Sequence, residues 1–273
     1  MSRTPPDLVI QPREIAFGRD ETHPRWWLDG DPVATAFYNA LSVTFPQGEH
    51  FFMDAVCHYR DRAQGPLKAQ IAAFLTQEAM HSREHMAFNR QVTDRGYDIT
   101  AMEKRLRWRL NLSRRAPKAV QLAATCALEH FTAILAHAVL SDPRHFKGAS
   151  PEAGRMWRWH AMEEIEHKAV AFDTYLTGVR GGALGRWALR SLVMFVATFL
   201  FNYTIGRNLA DFFHQDGINR PRTWMRLFRY LLVSPGLLSG VMGAYAGYYR
   251  PGFHPWQQDD RDLLTAVQAE LAA

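Results

Sequence analysis

The sequence predicts an all-α protein, a four-helix bundle carrying additional C-terminal helices, and three observations predict it. Glu78 with His81, and again Glu164 with His167, form Glu-x-x-His pairs, and each pair follows a lone glutamate, Glu49 and Glu129. Side chains three apart share one face of an α-helix, so a helix is what lets both members of a pair reach inward. The two halves repeat the same order at similar spacing, 29 residues from Glu49 to Glu78 and 35 from Glu129 to Glu164. Between the halves lies a stretch of about 20 residues, 97–116, far longer than a tight helical turn and suited to one crossover joining two helical hairpins.

Each element follows in order. Residues 1–32 carry Pro5, Pro6, Pro12, Pro24 and Pro32 among polar residues and read as an extended arm. The pattern turns helical from Val33, and Phe45-Pro46-Gln47-Gly48 interrupts it directly before Glu49, because proline removes a donor and glycine loosens the backbone. Glu49 therefore sits just after a kink or restart. A second helix is expected over 66–92, a third over 117–140 and a fourth over 151–178, the last opening on a proline that suits a first turn. This divides the chain into an arm (1–32), a bundle (33–180) and an apolar C-terminal helical extension (181–273).

Composition narrows the class. With 273 residues, 47% of them hydrophobic, the chain can bury a sizeable core, and a net charge of +5 implies no particular partner. Cys57 and Cys126 are too few for a disulfide framework, and the N-terminus lacks the apolar core of a signal peptide, so a cytoplasmic protein is expected. Residues 103–118 hold seven Lys or Arg against one Glu, with Leu106, Trp108, Leu110 and Leu112 among them. A solvated crossover with its aliphatic side pinned to the bundle is the expected reading, and no nucleic-acid module is present to argue for that partner. Residues 191–206 form an uncharged run between Arg190 and Arg207, and 230–249 form a second, flanked by Arg226, Arg229 and Arg250. Helices buried on the bundle, or forming a homodimer face, are the favoured reading of 184–249, with peripheral membrane contact as the other.

The six motif residues point to metal. Four carboxylates and two imidazoles can bridge and neutralise a pair of hard cations while leaving room for water or substrate. Phe51, Phe52, Phe74, Leu128, Phe131 and Phe172 surround them with apolar neighbours, where an ionised carboxylate is rarely found unless paired or metal-bound. His85, four residues after His81, and His160, four before Glu164, share those helical faces and are candidate acid/base groups or further ligands. Thr132, one turn past Glu129, is a candidate donor to bound oxygen. Glu163 is a fallback ligand, while Glu84 and Glu166 are expected to bond ligand imidazoles or face solvent. Cys126 reads as a small buried hydrophobe, and His50 and His130 should point about 100° away from the ligands they follow.

The segments FPQGEHFF, QEAMHSREH, ALEHFTA and WHAMEEIEHKAVAFD, with the ending YYRPGFHPW, resemble a bacterial family catalogued as predicted metal-dependent hydrolases. Residues 33–180 also resemble the ferritin-like dimetal carboxylate superfamily, whose pattern makes Glu49, Glu78, His81, Glu129, Glu164 and His167 the ligands of two metal ions, Fe/Fe or Mn/Fe. Two departures matter. His85 stands where the small subunit of ribonucleotide reductase carries its radical tyrosine, and both site histidines are present, whereas ferritins lack one. Carboxylate-rich ligation makes weak Lewis acids, so the leading expectation is a non-haem oxygenase or oxidase that uses O2 and an external electron donor on a small or hydrophobic organic substrate. A dimetal hydrolase using a metal-bridging hydroxide is the alternative, and a ferroxidase or metal-handling protein the third.

Overall fold

Proline sets where many of the helices begin. Pro32, Pro46, Pro66, Pro151 and Pro221 lie in the first turns of α1 (Pro32–Ser42), α2 (Phe45–Cys57), α3 (Pro66–Asp94), α6 (Pro151–His167) and α9 (Pro221–Leu232). There the missing N–H would have had no helical partner and the fixed φ already suits a helix. The remaining helices are α4 (Thr100–Ser113), α5 (Lys118–Ser141), α7 (Val170–Gly178), α8 (Ala183–Gln215), α10 (Leu237–Gly247) and α11 (Arg261–Ala272). The computed structural model describes residues 4–18 and 23–272, and among these there is no β-strand, so the fold is all-α as expected.

Four segments surround the interior that matters for function. α2 packs on α3 and α5 on α6, while α2–α5 and α3–α6 contacts close the set. α1, apolar nearly all round, is buried along almost its whole length, as such helices must be. Glu49 lies in the first half of α2, and the break before it falls at 43–44 rather than at the expected 45–48, which already belong to α2.

Two expected elements differ from those observed. The fourth helix is two helices, because the chain breaks at Lys168–Ala169 between α6 and α7. No breaker residue stands there. The buried Lys168 ammonium instead bonds Asp260 Oδ2 at 2.5 Å and the Gln258 carbonyl at 2.7 Å, a tertiary tie invisible to local pattern. The crossover is also not a bare loop: α4 occupies most of it, burying Met102 and Leu106 while Trp108 and Leu112 stay exposed rather than pinned.

The C-terminal helices share the core of the bundle. One continuous cluster joins Phe37, Trp157, Phe212, Leu237 and Val267. Two helices, α5 and α8, are long and apolar enough to cross a membrane by length and composition. They differ in burial. α5 has 67% of its apolar stretch inside the molecule and carries Glu129 into the interior, whereas α8 has 17%. The expectation that 184–213 is buried therefore holds for one face only.

Along the described part of the arm, Thr4 Oγ1 donates to Asp173 Oδ2 at 2.7 Å and Arg13 reaches Glu163 and Glu166 on α6.

Candidate metal centre

The structure brings the six motif residues together. α2 supplies Glu49, α3 supplies Glu78 and His81, α5 supplies Glu129, and α6 supplies Glu164 and His167, each at most 3% exposed. His167 Nε2 lies 3.2 Å from Glu78 Oε1 and 3.5 Å from both Glu129 Oε2 and Glu164 Oε2. His81 Nδ1 lies 3.5 Å from Glu164 Oε1. Glu78 belongs to two triads, one with Glu49 and His81 and one with Glu164 and His167, whose ligand atoms lie within 4.8 Å of one another.

Buried polar atoms are normally hydrogen-bonded, and here they are not. Both oxygens of Glu78, both of Glu129, Glu49 Oε1, Glu164 Oε2, His81 Nδ1 and His167 Nε2 are all buried with no hydrogen bond. A converging set of bare oxygens and nitrogens is what a cation would satisfy, so the residues present fit a metal centre.

The protonation of the rings agrees with that fit. His81 Nε2 bonds Glu163 Oε2 at 3.1 Å, and a carboxylate can only accept, so Nε2 carries a proton and Nδ1 is the nitrogen aimed at the centre, where a cation would displace any proton it holds. His167 Nδ1 bonds Gln77 Oε1 at 3.0 Å, while Gln77 Nε2 donates to Glu166 Oε2 at 2.9 Å, which leaves His167 Nε2 as the bare nitrogen. A longer chain fixes a third ring. Asn89 Nδ2 donates to the Ser42 carbonyl and Ser42 Oγ donates to Asn89 Oδ1, so Ser42 Oγ accepts from His85 Nδ1 at 2.9 Å. His85 Nε2 must then accept from His160 Nδ1, 2.8 Å away. That leaves His160 Nε2 bare and aimed at the site, 3.1 Å from Glu164 Oε1.

Electrostatics follow from burial and crowding. Burial raises the Glu49 carboxyl to about 8 and, with the neighbouring carboxylates, raises Glu78 and Glu129 well above the usual range. Glu164 goes the other way: burial opposes its charge, but His167, His160 and His81 together hold it well below. Burial disfavours charge on His81 too, yet its bonds to Glu163 and Glu164 raise it to about 10. Burial takes His160 down to about 4, and burial with the neighbouring histidines takes His85 well below its ordinary value.

The remaining expected residues are placed as follows. His160 joins the site directly, forming a triad with His81 and Glu164. His85 has both nitrogens engaged, by Ser42 and His160, and so positions His160. Thr132 Oγ1 donates to the Glu129 carbonyl of its own helix at 3.0 Å, so its proton is not aimed at the centre. Glu163 and Glu166 stand behind the ring nitrogens, the first directly and the second through Gln77. Glu84 instead bonds Arg83 and accepts from the Phe17 amide. Cys126 is buried, its thiol pushed up by burial and by Glu129; His50 is exposed, and His130 Nε2 meets the Ala244 carbonyl at 3.1 Å. Gln77 and Arg13 escaped the sequence reading. Gln77 sits four residues before His81 but answers to the other histidine, a pairing that only the fold reveals.

Residues that orient a ligand imidazole are worth about 10–100-fold in metal affinity. Gln77→Leu is therefore expected to weaken metal binding by about that factor while leaving helicity intact, as read by competition against a coloured chelator.

A family model described as a predicted metal-dependent hydrolase matches residues 11–259. The chain belongs to that family. No curated protein and no solved structure matches it. Membership in the hydrolase family overturns the oxygenase or oxidase expected above, and with it the reason for invoking O2 and an electron donor; metal dependence stands, whereas Fe/Fe and Mn/Fe draw no support from it. The error came from weighing the six motif residues alone: the oxidase expectation rested on four carboxylates making weak Lewis acids, whereas the structure also places the bare Nε2 of His160 beside Glu164, a neutral imidazole free to take up a proton.

One consequence for this hydrolase-family chain concerns pH. Without metal, the folded protein holds a proton on Glu49 up to about 8 and on His81 up to about 10, whereas the unfolded chain releases them near 4.5 and 6.5. Between pH 6.5 and about 8 the folded state thus binds more protons, and stability falls as pH rises. Chelator-treated protein should melt progressively lower across that window, and metal-loaded protein should not; parallel melting series check it.

Proposed function

We propose that the protein hydrolyses an ester, amide or phosphate bond in a substrate with an apolar portion, using two metal ions held by Glu49, Glu78, His81, Glu129, Glu164 and His167. The observation that supports this reading best is the bare Nε2 of His160, held at the edge of the ligand cluster and on the wall of an apolar cavity of about 50 Å³. Bound divalent cations would polarise the scissile oxygen and bring the pKa of a water toward neutrality.

The chain's own groups divide the remaining work. His160, neutral at physiological pH because burial disfavours its charge, accepts a proton at Nε2 from the attacking water and returns it to the leaving group. Its orientation is fixed through His85, Ser42 and Asn89, and Glu164, 3.1 Å away, stabilises the imidazolium while the proton resides there. Phe37, Leu41, Leu135, Val139 and Trp157 line the cavity beside His160 and Glu164, and its volume admits only a small apolar group such as a methyl or ethyl, which displaces water there. A cleft of about 950 Å³ between the arm, α3 and α7 has none of the candidate ligands in its wall.

The test is anaerobic turnover with zinc as the sole metal, on nitrophenyl esters of increasing chain length, the matching anilides and a phosphate diester. Turnover without oxygen is expected, and His160→Ala should lower kcat by about 100-fold or more with metal content unchanged. Absence of hydrolysis across all three bond types would remove the reading.

A further inference from the structure

The outward side of α8 carries Leu184, Leu192, Phe195, Val196, Phe199 and Tyr203, spaced so that they fall along one face. Phe195 and Phe199 are 67% and 69% exposed, which is unusual for rings in a chain with this much core. At helical rise the stripe is about 28 Å long. α10 lies beside α8 on α5: Thr198 Oγ1 meets the Tyr245 hydroxyl at 3.0 Å, and Phe131 stacks against both Phe201 and Tyr245. Met242 of α10 is exposed, and α9, bent from α10 by 56°, adds exposed Met225 and Phe228.

The charge around this surface has one sign. Residues 179–250 contain nine arginines and two acids, Asp211 and Asp216. Both acids are already engaged, Asp211 with Arg105, and Asp216 with Arg25 at 2.8 Å and the Tyr97 hydroxyl. Arg207, Arg222 and Arg229 are exposed. α4 borders α8 where Arg109 lies over the Tyr203 ring at 5.2 Å and Arg105 pairs with Asp211, adding further arginine to that flank.

We propose that this face seats the protein on the surface of a bilayer containing anionic phospholipid. The apolar stripe enters the boundary between headgroups and acyl chains, and the surrounding arginines meet lipid phosphates. A second copy of the chain fits the same face poorly, because a two-fold contact would set arginine against arginine, and the two acids of 179–250 are both already engaged. The helix lies on the membrane rather than through it. Its inner side holds buried Arg190, bonded to the Tyr248 and Arg250 carbonyls, and Asn208, bonded to the Ala40 carbonyl, both locked into the bundle. The inference does not depend on the hydrolase reading, since it concerns where the molecule sits and not what it cleaves.

The experiment is flotation of the metal-loaded full chain with vesicles of phosphatidylcholine alone and of phosphatidylcholine with phosphatidylglycerol. The chain should float with the anionic vesicles and much less with the neutral ones. Phe195→Asp with Phe199→Asp should reduce flotation by more than about tenfold, Phe195→Leu with Phe199→Leu should keep it, and Arg229→Ala should weaken it about fivefold. Metal content and helicity of each variant establish that the fold is intact, since both rings are exposed. No flotation with either vesicle, or equal flotation of the aspartate variant, overturns the proposal. So does a stable dimer in solution that the aspartate pair converts to monomer, which would assign the face to a second copy.

Discussion

Glu78→Ala is expected to empty the metal centre and to abolish hydrolysis, the largest loss from any single substitution in the chain. Glu78 belongs to both of the triads built from the six motif residues alone, and neither of its oxygens has a hydrogen-bond partner. A residue that merely orients a ligand is worth about 10–100-fold in affinity, so loss of a ligand shared by both halves should exceed about 100-fold. Metal content should fall from about two ions per chain to less than one, measured by elemental analysis after gel filtration. Glu78→Gln separates the metal from the fold, because it keeps the shape and removes the charge. It should lose metal as the alanine variant does. After chelation, however, it should melt no lower than chelated wild type, since burial and neighbouring carboxylates already raise the Glu78 carboxyl and an amide carries no such cost. Full metal occupancy in either variant would mean that the six residues do not form one centre.

That these six side chains would converge was legible because the signal is local. Glu78 with His81 and Glu164 with His167 each need only one helical turn to come together, and the lone glutamates repeat in order, so helix geometry alone put all six on inward faces. What stood one bond behind them was not legible. Gln77 holds His167, 90 residues away, and Glu163 holds His81 although its spacing to His167 made it look like a substitute ligand. The break between α6 and α7 was missed for the same reason, since a buried Lys168–Asp260 pair spans 92 residues. α4 was hidden by its own charge: with Met102 and Leu106 the only fully buried side chains, its apolar face is too narrow to show in a segment rich in arginine. The outward stripe of α8 illustrates the limit of hydropathy, which counts Phe199 and Phe212 alike although one is exposed and the other wholly buried.

Arg13→Ala should loosen both halves of the centre at once. Arg13 Nη1 bonds Glu163 Oε1 at 3.2 Å and Glu166 Oε2 at 3.0 Å, and Nη2 bonds Glu166 Oε1 at 2.7 Å. Both glutamates are buried, and each leads to a different ring, Glu163 to His81 directly and Glu166 to His167 through Gln77. Breaking a buried pair by removing one partner costs about 3–5 kcal/mol, and because the Arg13 side chain is 19% exposed and water can follow it out, about 2–3 kcal/mol is the better expectation here. The melting temperature should fall accordingly, and metal affinity should fall by about 10–100-fold because neither imidazole is any longer held in register. Arg13→Lys should recover only part of either quantity, since an ammonium cannot reproduce the two-pronged bond to Glu166. Adding Glu166→Gln to Arg13→Ala should restore stability without restoring metal affinity, because it relieves the unpaired charge but not the lost alignment. If Arg13→Ala lowered stability with metal affinity untouched, the arm would be a strap and nothing more. The expected coupling instead makes the extended N-terminal segment a working part of a centre whose ligands all lie on helices far along the chain.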